Sequence, residues 1–240
     1  MDSSFSRYAI YFIADPAEAL YRRASAWLGW DCVNGRDIQH PGTAELDNTA
    51  NIDIAAITVT PRKYGFHGTI KPPMRLAEGV SEALLRDRAA ALADSIAPVT
   101  VKRMEVAQLG RFLAIVPSKP CRGLEDAAAR FVTELDDLRA PLTAAELERR
   151  RRAALTDRQD GLLQKWGYPY VLDEFRFHMT LSGPLDEADG RAAMTMLGAW
   201  LTPVIPAPMT VNRMALAGEG ADGRFRVISW FPLGGQRQAS

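Results

Sequence analysis

Residues 66–70, FHGTI, return at residues 177–181 as FHMTL, in a chain of 240 residues that holds only three histidines. The frame is not the only landmark to recur. VKRM at 101–104 returns as VNRM at 211–214, and GRF at 110–112 as GRF at 223–225. The offsets agree: 178 − 67 = 111 for the histidines and 211 − 101 = 110 for the valines. Three landmarks in one order indicate a duplicated supersecondary unit, too long to be a solenoid repeat.

The intervening sequence carries the same order of elements twice. RYAIYFIAD reads as a strand and DPAEALYRRASAWLG as a helix, with Asp15 as cap, Pro16 in the first turn and Gly29 as stop. Residues 31–60 read as loop with a short helix near 44–57. A strand over YGFHGTIKP, a helix over SEALLRDRAAALADSIA and a strand over VTVKRMEVAQL follow. FLAIVPS and GLEDAAARFVTELDDL then repeat the opening strand and helix, and EFRFHMTLSGP, DEADGRAAMTMLGAWL and MTVNRMALAG repeat the rest. RFRVISWF at 224–231 closes the second sheet. The expected fold class is α+β: two pseudo-symmetric lobes of antiparallel sheet with flanking helices and a central groove. Residues 1–240 form a single two-lobed domain, with repeats over about 5–109 and 110–232 and a helical insert at about 141–168. In that insert, Thr143-x-x-Glu146 and Thr156-x-x-Gln159 have capping-box spacing. The run ELERRRRAALTDRQ is read as two helices with solvated arginine faces.

Composition excludes several classes of function. Twenty-nine basic residues balance twenty-nine acidic ones, so no overall field draws the chain to long nucleic acid. The apolar runs fall far short of a membrane span. The start MDSSFSRYAIYF lacks the basic and apolar regions of a secretory signal, and the expected location is cytoplasmic. Cys32 and Cys121 read as free thiols.

Alternation along a strand puts His67 and Thr69 on one face, with Phe66, Gly68 and Ile70 on the other. His178 and Thr180 share a face in the same way, backed by Phe177, Met179 and Leu181. Two imidazoles facing one groove can take a proton from an attacking oxygen and give one to a leaving oxygen near neutral pH. Threonine hydroxyls can donate to non-bridging phosphate oxygens. The kit suits phosphodiester chemistry without metal or cofactor, and H-x-x-x-H and H-E-x-x-H spacings are absent. His40, in IQHPG, reads as an ordinary surface residue.

With its motifs His67-Gly68-Thr69-Ile70 and His178-Met179-Thr180-Leu181, the chain resembles the two-histidine (2H) phosphoesterases, a family of two-lobed α+β proteins with paired H-x-[ST]-x motifs. YGFHGTIKPP, the insert and EFRFHMTLSGPL are most similar to the branch associated with bacterial phosphonate-utilisation genes, a domain of unknown function. The resemblance implies a cyclic phosphodiesterase acting on a small phosphorylated substrate, with His67, Thr69, His178 and Thr180 as catalytic set. A ribosyl 1,2-cyclic phosphate is the substrate this branch suggests, and a nucleoside or RNA-end 2′,3′-cyclic phosphate the wider family's alternative. The insert, absent from the small members acting on RNA ends, separates this chain from them. Arg62, Lys63, Tyr64 and Lys71 flank the first motif and are candidates for holding a second phosphate or the sugar, or for rim solvation. Tyr168, with Tyr170, is a candidate to touch the ligand if the insert folds over the groove, a Pro-anchored turn with packed rings being the other reading. The competing function is a non-catalytic binding module for a phosphorylated ligand or RNA end.

Overall fold

Strand β1 (Tyr8–Phe12) is buried along its whole length, as a central strand shielded on both faces must be. The computed structural model describes residues 5–42, 45–46 and 52–234. Helix α1 (Ala19–Leu28) follows β1 and ends at Gly29. Its N-cap is Glu18 rather than Asp15, whose carboxylate instead accepts from Ala17 N in the preceding turn. A short hairpin of two-residue strands, β2 (Trp30–Asp31) with β3 (Arg36–Asp37), leads to α2 (Ile54–Arg62). The short helix expected near 44–57 lies partly outside the described residues, and α2 runs later than that expectation.

The first motif feeds β4 (Gly68–Met74), which is followed by α3 (Glu82–Asp94), β5 (Val99–Val101) and β6 (Met104–Leu109). The single strand expected over 99–109 is thus broken in two. The second unit repeats this order with β7 (Phe112–Pro117) and α4 (Arg122–Glu134). The insert helices α5 (Ala144–Arg151) and α6 (Asp157–Trp166) follow, then β8 (Met179–Thr180), α7 (Glu187–Leu201), β9 (Met209–Val211) and β10 (Arg213–Glu219). The long strand expected over EFRFHMTLSGP shrinks to the two residues of β8, preceded by a 3-10 turn at Leu172–Glu174. Strand β11 (Phe225–Pro232) closes the chain.

Seven strands form one antiparallel sheet in the order β11-β10-β1-β4-β8-β7-β6. The two motif strands are neighbours at its centre, joined at Gly68↔Met179. Strand β10 of the second unit pairs with β1 of the first, and β6 of the first pairs with β7 of the second. Each half of the sheet therefore draws strands from both repeats. Strand β11 pairs with β10 at the sheet edge, in the half that holds β1 and β4 of the first unit. The recurring VKRM and VNRM segments meet: β5 pairs with β9, Val99↔Val211, Thr100↔Thr210 and Val101↔Met209.

Sequence caps locate most helix starts. Ser81 accepts from Leu84 N, Asp186 from Asp189 N, and both expected capping boxes form at Thr143/Glu146 and Thr156/Gln159. The insert docks through a small apolar cluster of Val132, Leu162 and Val171, with Trp166, Tyr168 and Leu172 packed on it. Arg75 holds Glu146 at 3.0 Å, which fixes α5 beside β4. Among the described residues no helix is long and apolar enough to cross a membrane.

Candidate active site

The alternation read from the motifs is visible in their burial. Phe66, Gly68 and Ile70 are buried, as are Phe177, Met179 and Leu181, while His67, Thr69, His178 and Thr180 are half-buried. All four half-buried side chains line one cleft of about 560 Å³, within the size range of small-molecule sites.

Each imidazole is held by the same device. His67 Nδ1 donates to Gly65 O at 2.9 Å, and His178 Nδ1 donates to Arg176 O at 2.7 Å, so each ring binds the carbonyl two residues before it. With the proton held on Nδ1, both neutral rings carry their free lone pair on Nε2. His67 Nε2 lies 3.1 Å from Thr69 Oγ1. Burial pushes the His67 imidazolium down to about 4, with His178 adding a smaller depression and the Gly65 carbonyl opposing it. Burial also lowers His178, against the Arg176 carbonyl. Burial therefore shifts both rings toward the neutral form at pH 7.

Around this symmetric pair the neighbours differ. Thr69 faces Tyr11 across the β1–β4 ladder, whereas Thr180 faces Ala114 across β7–β8. The Tyr11 ring stacks on His67, centroids 3.8 Å apart, and its buried hydroxyl has no hydrogen-bond partner among the described residues. His178 instead has Phe112 at 5.6 Å.

Three of the five further candidates, Lys63, Tyr64 and Tyr168, line the cleft. Arg62 does not: its guanidinium donates to Leu28 O and Ala55 O and to Thr58 Oγ1, and pairs with His40 Nε2. It ties the end of α1 to α2. His40 belongs to the same knot through Nδ1 and Trp27 O, rather than being an ordinary surface residue. Lys71 also lies elsewhere. Register runs Tyr11↔Thr69 but Ile10↔Lys71, so an irregularity in β4 turns Lys71 to the face opposite Thr69. There it is 2% exposed and donates to Val132 O in α4.

Sequence reading missed Tyr11, Arg7, Arg149 and Arg150, which also line the cleft. The last two belong to the run read as solvated faces. Arg7 forms two hydrogen bonds of 2.6 Å to Glu219. Tyr168 and Tyr170, 5.7 Å apart, border a second, largely apolar chamber of about 300 Å³ that also reaches His178. Among the described residues no group of three or more His, Cys, Asp or Glu could hold a metal ion.

The family model described as "Protein of unknown function (DUF1045)" matches residues 69–226. A protein of Janthinobacterium sp. (strain Marseille) named "Ribose 1,5-bisphosphate phosphokinase PhnN" is 35% identical over 245 residues, covering 97% of this chain and 52% of that protein. A protein of the same name from Laribacter hongkongensis (strain HLHK9) is 32% identical over 234 residues, covering 95% of this chain and 53% of that protein. The chain thus spans about half the length of the curated relatives it matches. Among solved structures, E. coli LigT in apo form matches with 17% identity and a TM-score of 0.47, over 96% of this chain and 99% of that chain. Its complex with 3′-AMP matches with 15% identity and a TM-score of 0.44, over 95% and 97%.

Proposed function

Because this chain belongs to the DUF1045 family, whose description assigns no activity, we propose its function from the cleft itself: a metal-independent cyclic phosphodiesterase that opens a ribose-type cyclic phosphate by two-histidine acid–base catalysis. The observation that carries this reading is the convergence of both motif histidines and both motif threonines on one cleft, each Nδ1 tied back to a carbonyl. The names of the half-matching relatives, which refer to a ribose bisphosphate, agree with a ribose phosphate as the substrate class. The kinase activity in those names belongs to proteins twice as long, and these 240 residues contain no G-x-x-x-x-G-K-[ST] loop.

In the proposed reaction water attacks phosphorus while His67 Nε2 takes its proton. One P–O bond forms, the ring P–O bond breaks, and His178 gives its proton to the departing ribose oxygen. The product is a phosphomonoester beside a free hydroxyl, and the two histidines exchange protons with solvent to reset. His67 is assigned as base because it is the more strongly held neutral, packed under Tyr11 with Nε2 beside Thr69. Thr69 and Thr180 donate to the non-bridging oxygens, where charge builds as water adds. The anion itself raises the His178 pKa, so that the acid is loaded when substrate binds.

The test is turnover of ribose and nucleoside cyclic phosphates by purified protein in the presence of a chelator, followed by phosphorus NMR. Conversion to a phosphomonoester supports the proposal. Binding without turnover would make the chain a module that recognises phosphorylated ligands, and a requirement for added divalent ion would overturn the metal-independent mechanism.

A further inference from the structure

The cleft carries more positive charge than a cyclic phosphodiester, with its single negative charge, can match. Lys63, Arg149 and Arg150 line it together with Arg7, and no Asp or Glu is among its lining residues. Arg7 is matched by Glu219. None of the other three forms a salt bridge among the described residues, although Lys63 lies near enough to Glu219 to help hold its carboxyl low. Three other arginines in and around the insert are paired, Arg139 with Asp136, Arg151 with Asp160 and Arg158 with Asp173, whereas Arg152 forms no salt bridge among the described residues. Glu146, one turn before Arg150 on α5, is already held by Arg75 and the Thr143 backbone. Arg150 is half-buried over the Tyr168 ring, 5.0 Å from its centroid, and its shielded Nε has no hydrogen-bond partner among the described residues. Burial lowers the pKa of this guanidinium even with the Tyr168 ring and Glu146 opposing it, and a phosphate accepting from its fork would offset the remaining desolvation.

We infer that Arg149 and Arg150, with Lys63, form a second anion subsite, and that the substrate is a sugar cyclic phosphate bearing a further phosphate group, the two phosphates being divided between the arginines and the histidines. This deepens the proposed function and rests on it for which phosphate reacts. The insert then has a specificity role: Arg75 anchors α5 through Glu146, the apolar cluster anchors α6, and the last turn of α5 brings Arg149 and Arg150 to the cleft. A terminal phosphate dianion engages an arginine fork in two parallel bonds, which a neutral hydroxyl at the same place cannot do.

The test uses binding, so that it reads out even if turnover fails. Full-length His67→Ala protein is titrated by calorimetry with a ribose cyclic phosphate, with and without a phosphate on its 5-hydroxyl. The inference expects roughly 10-fold or more tighter binding of the phosphorylated compound, weakening with added salt. Adding Arg149→Gln or Arg150→Gln should collapse that ratio toward one; Arg149 is exposed, so its variant tests the charge without disturbing packing. A ratio near one before the arginine changes, or a ratio unmoved by them, overturns the inference, as does failure of both compounds to bind. A dinucleotide ending in a 2′,3′-cyclic phosphate that binds more tightly than the 5-phosphorylated sugar would overturn the assignment to a phosphosugar. Absence of turnover by the unmodified chain, with the binding ratio intact, would instead sink the catalytic reading alone.

Discussion

The ring of Phe177 occupies the space that a side chain at residue 68 would need: a Cβ built on Gly68 lies 2.5 Å from Phe177 Cζ. One motif frame therefore packs into the other, beside the single register pair Gly68↔Met179 that joins the central strands. Gly68→Ala should destabilise the fold by about 1–3 kcal/mol through overpacking. Phe177→Ala in the same chain should recover part of that loss, giving a non-additive double-mutant cycle in denaturant melts. Strictly additive effects would show that the two frames are not interlocked.

Gly65 orients the proposed base. Its carbonyl accepts from His67 Nδ1, its φ is +73°, and a Cβ there would lie 2.5 Å from Cys32 Cβ. Gly65→Ala should lower kcat by roughly 100-fold with a smaller change in KM, since a displacement of about 1 Å in a catalytic group has that effect. Retention of near-normal kcat would mean that the carbonyl does not orient the ring.

Tyr11 lines the cleft, and its buried hydroxyl has no hydrogen-bond partner among the described residues. Tyr11→Phe should leave thermal stability unchanged or raise it, because no protein hydrogen bond is lost. It should lower kcat/KM by about 10-fold if the hydroxyl donates to the substrate. A drop in stability with unchanged kinetics would make the residue structural.

Much of this was legible in the sequence, and the parts that were not share a cause. The duplication, the His/Thr faces and both capping boxes depend on local spacing, which a strand's two-residue period and a helix's first turn determine directly. Lys71 has the same parity as Thr69 and so reads as a cleft residue, but the irregularity in β4 inverts its face, and only the pairing with β1 reveals that. Arg149 and Arg150 are chemically identical to Arg151, which binds Asp160. Which arginine meets the cleft depends on where α5 docks. The exchange of β6 and β10 between the halves of the sheet is likewise a long-range pairing that local pattern does not specify.

Acid–base roles should appear in the pH dependence. With His67 lowered to about 4 and His178 lowered below its ordinary 6.5, kcat/KM, which reports the free enzyme, should rise as His67 loses its proton. It should fall again as His178 does. Its optimum therefore lies on the acid side of neutrality, and the kcat profile lies at higher pH, because the bound anion raises both values. A kcat/KM optimum above pH 7.5 would contradict the burial argument.

The most direct test of the central claim is phosphorus NMR of cyclic-phosphate turnover by the unmodified chain and by His67→Ala, His178→Ala and the double variant. Each single change should lower kcat by roughly 10²–10⁴-fold with the fold intact, and the double by less than the product, because the two imidazoles act as one unit. Full activity in either single variant would contradict the account, since it would leave that variant's FHxT frame as scaffold.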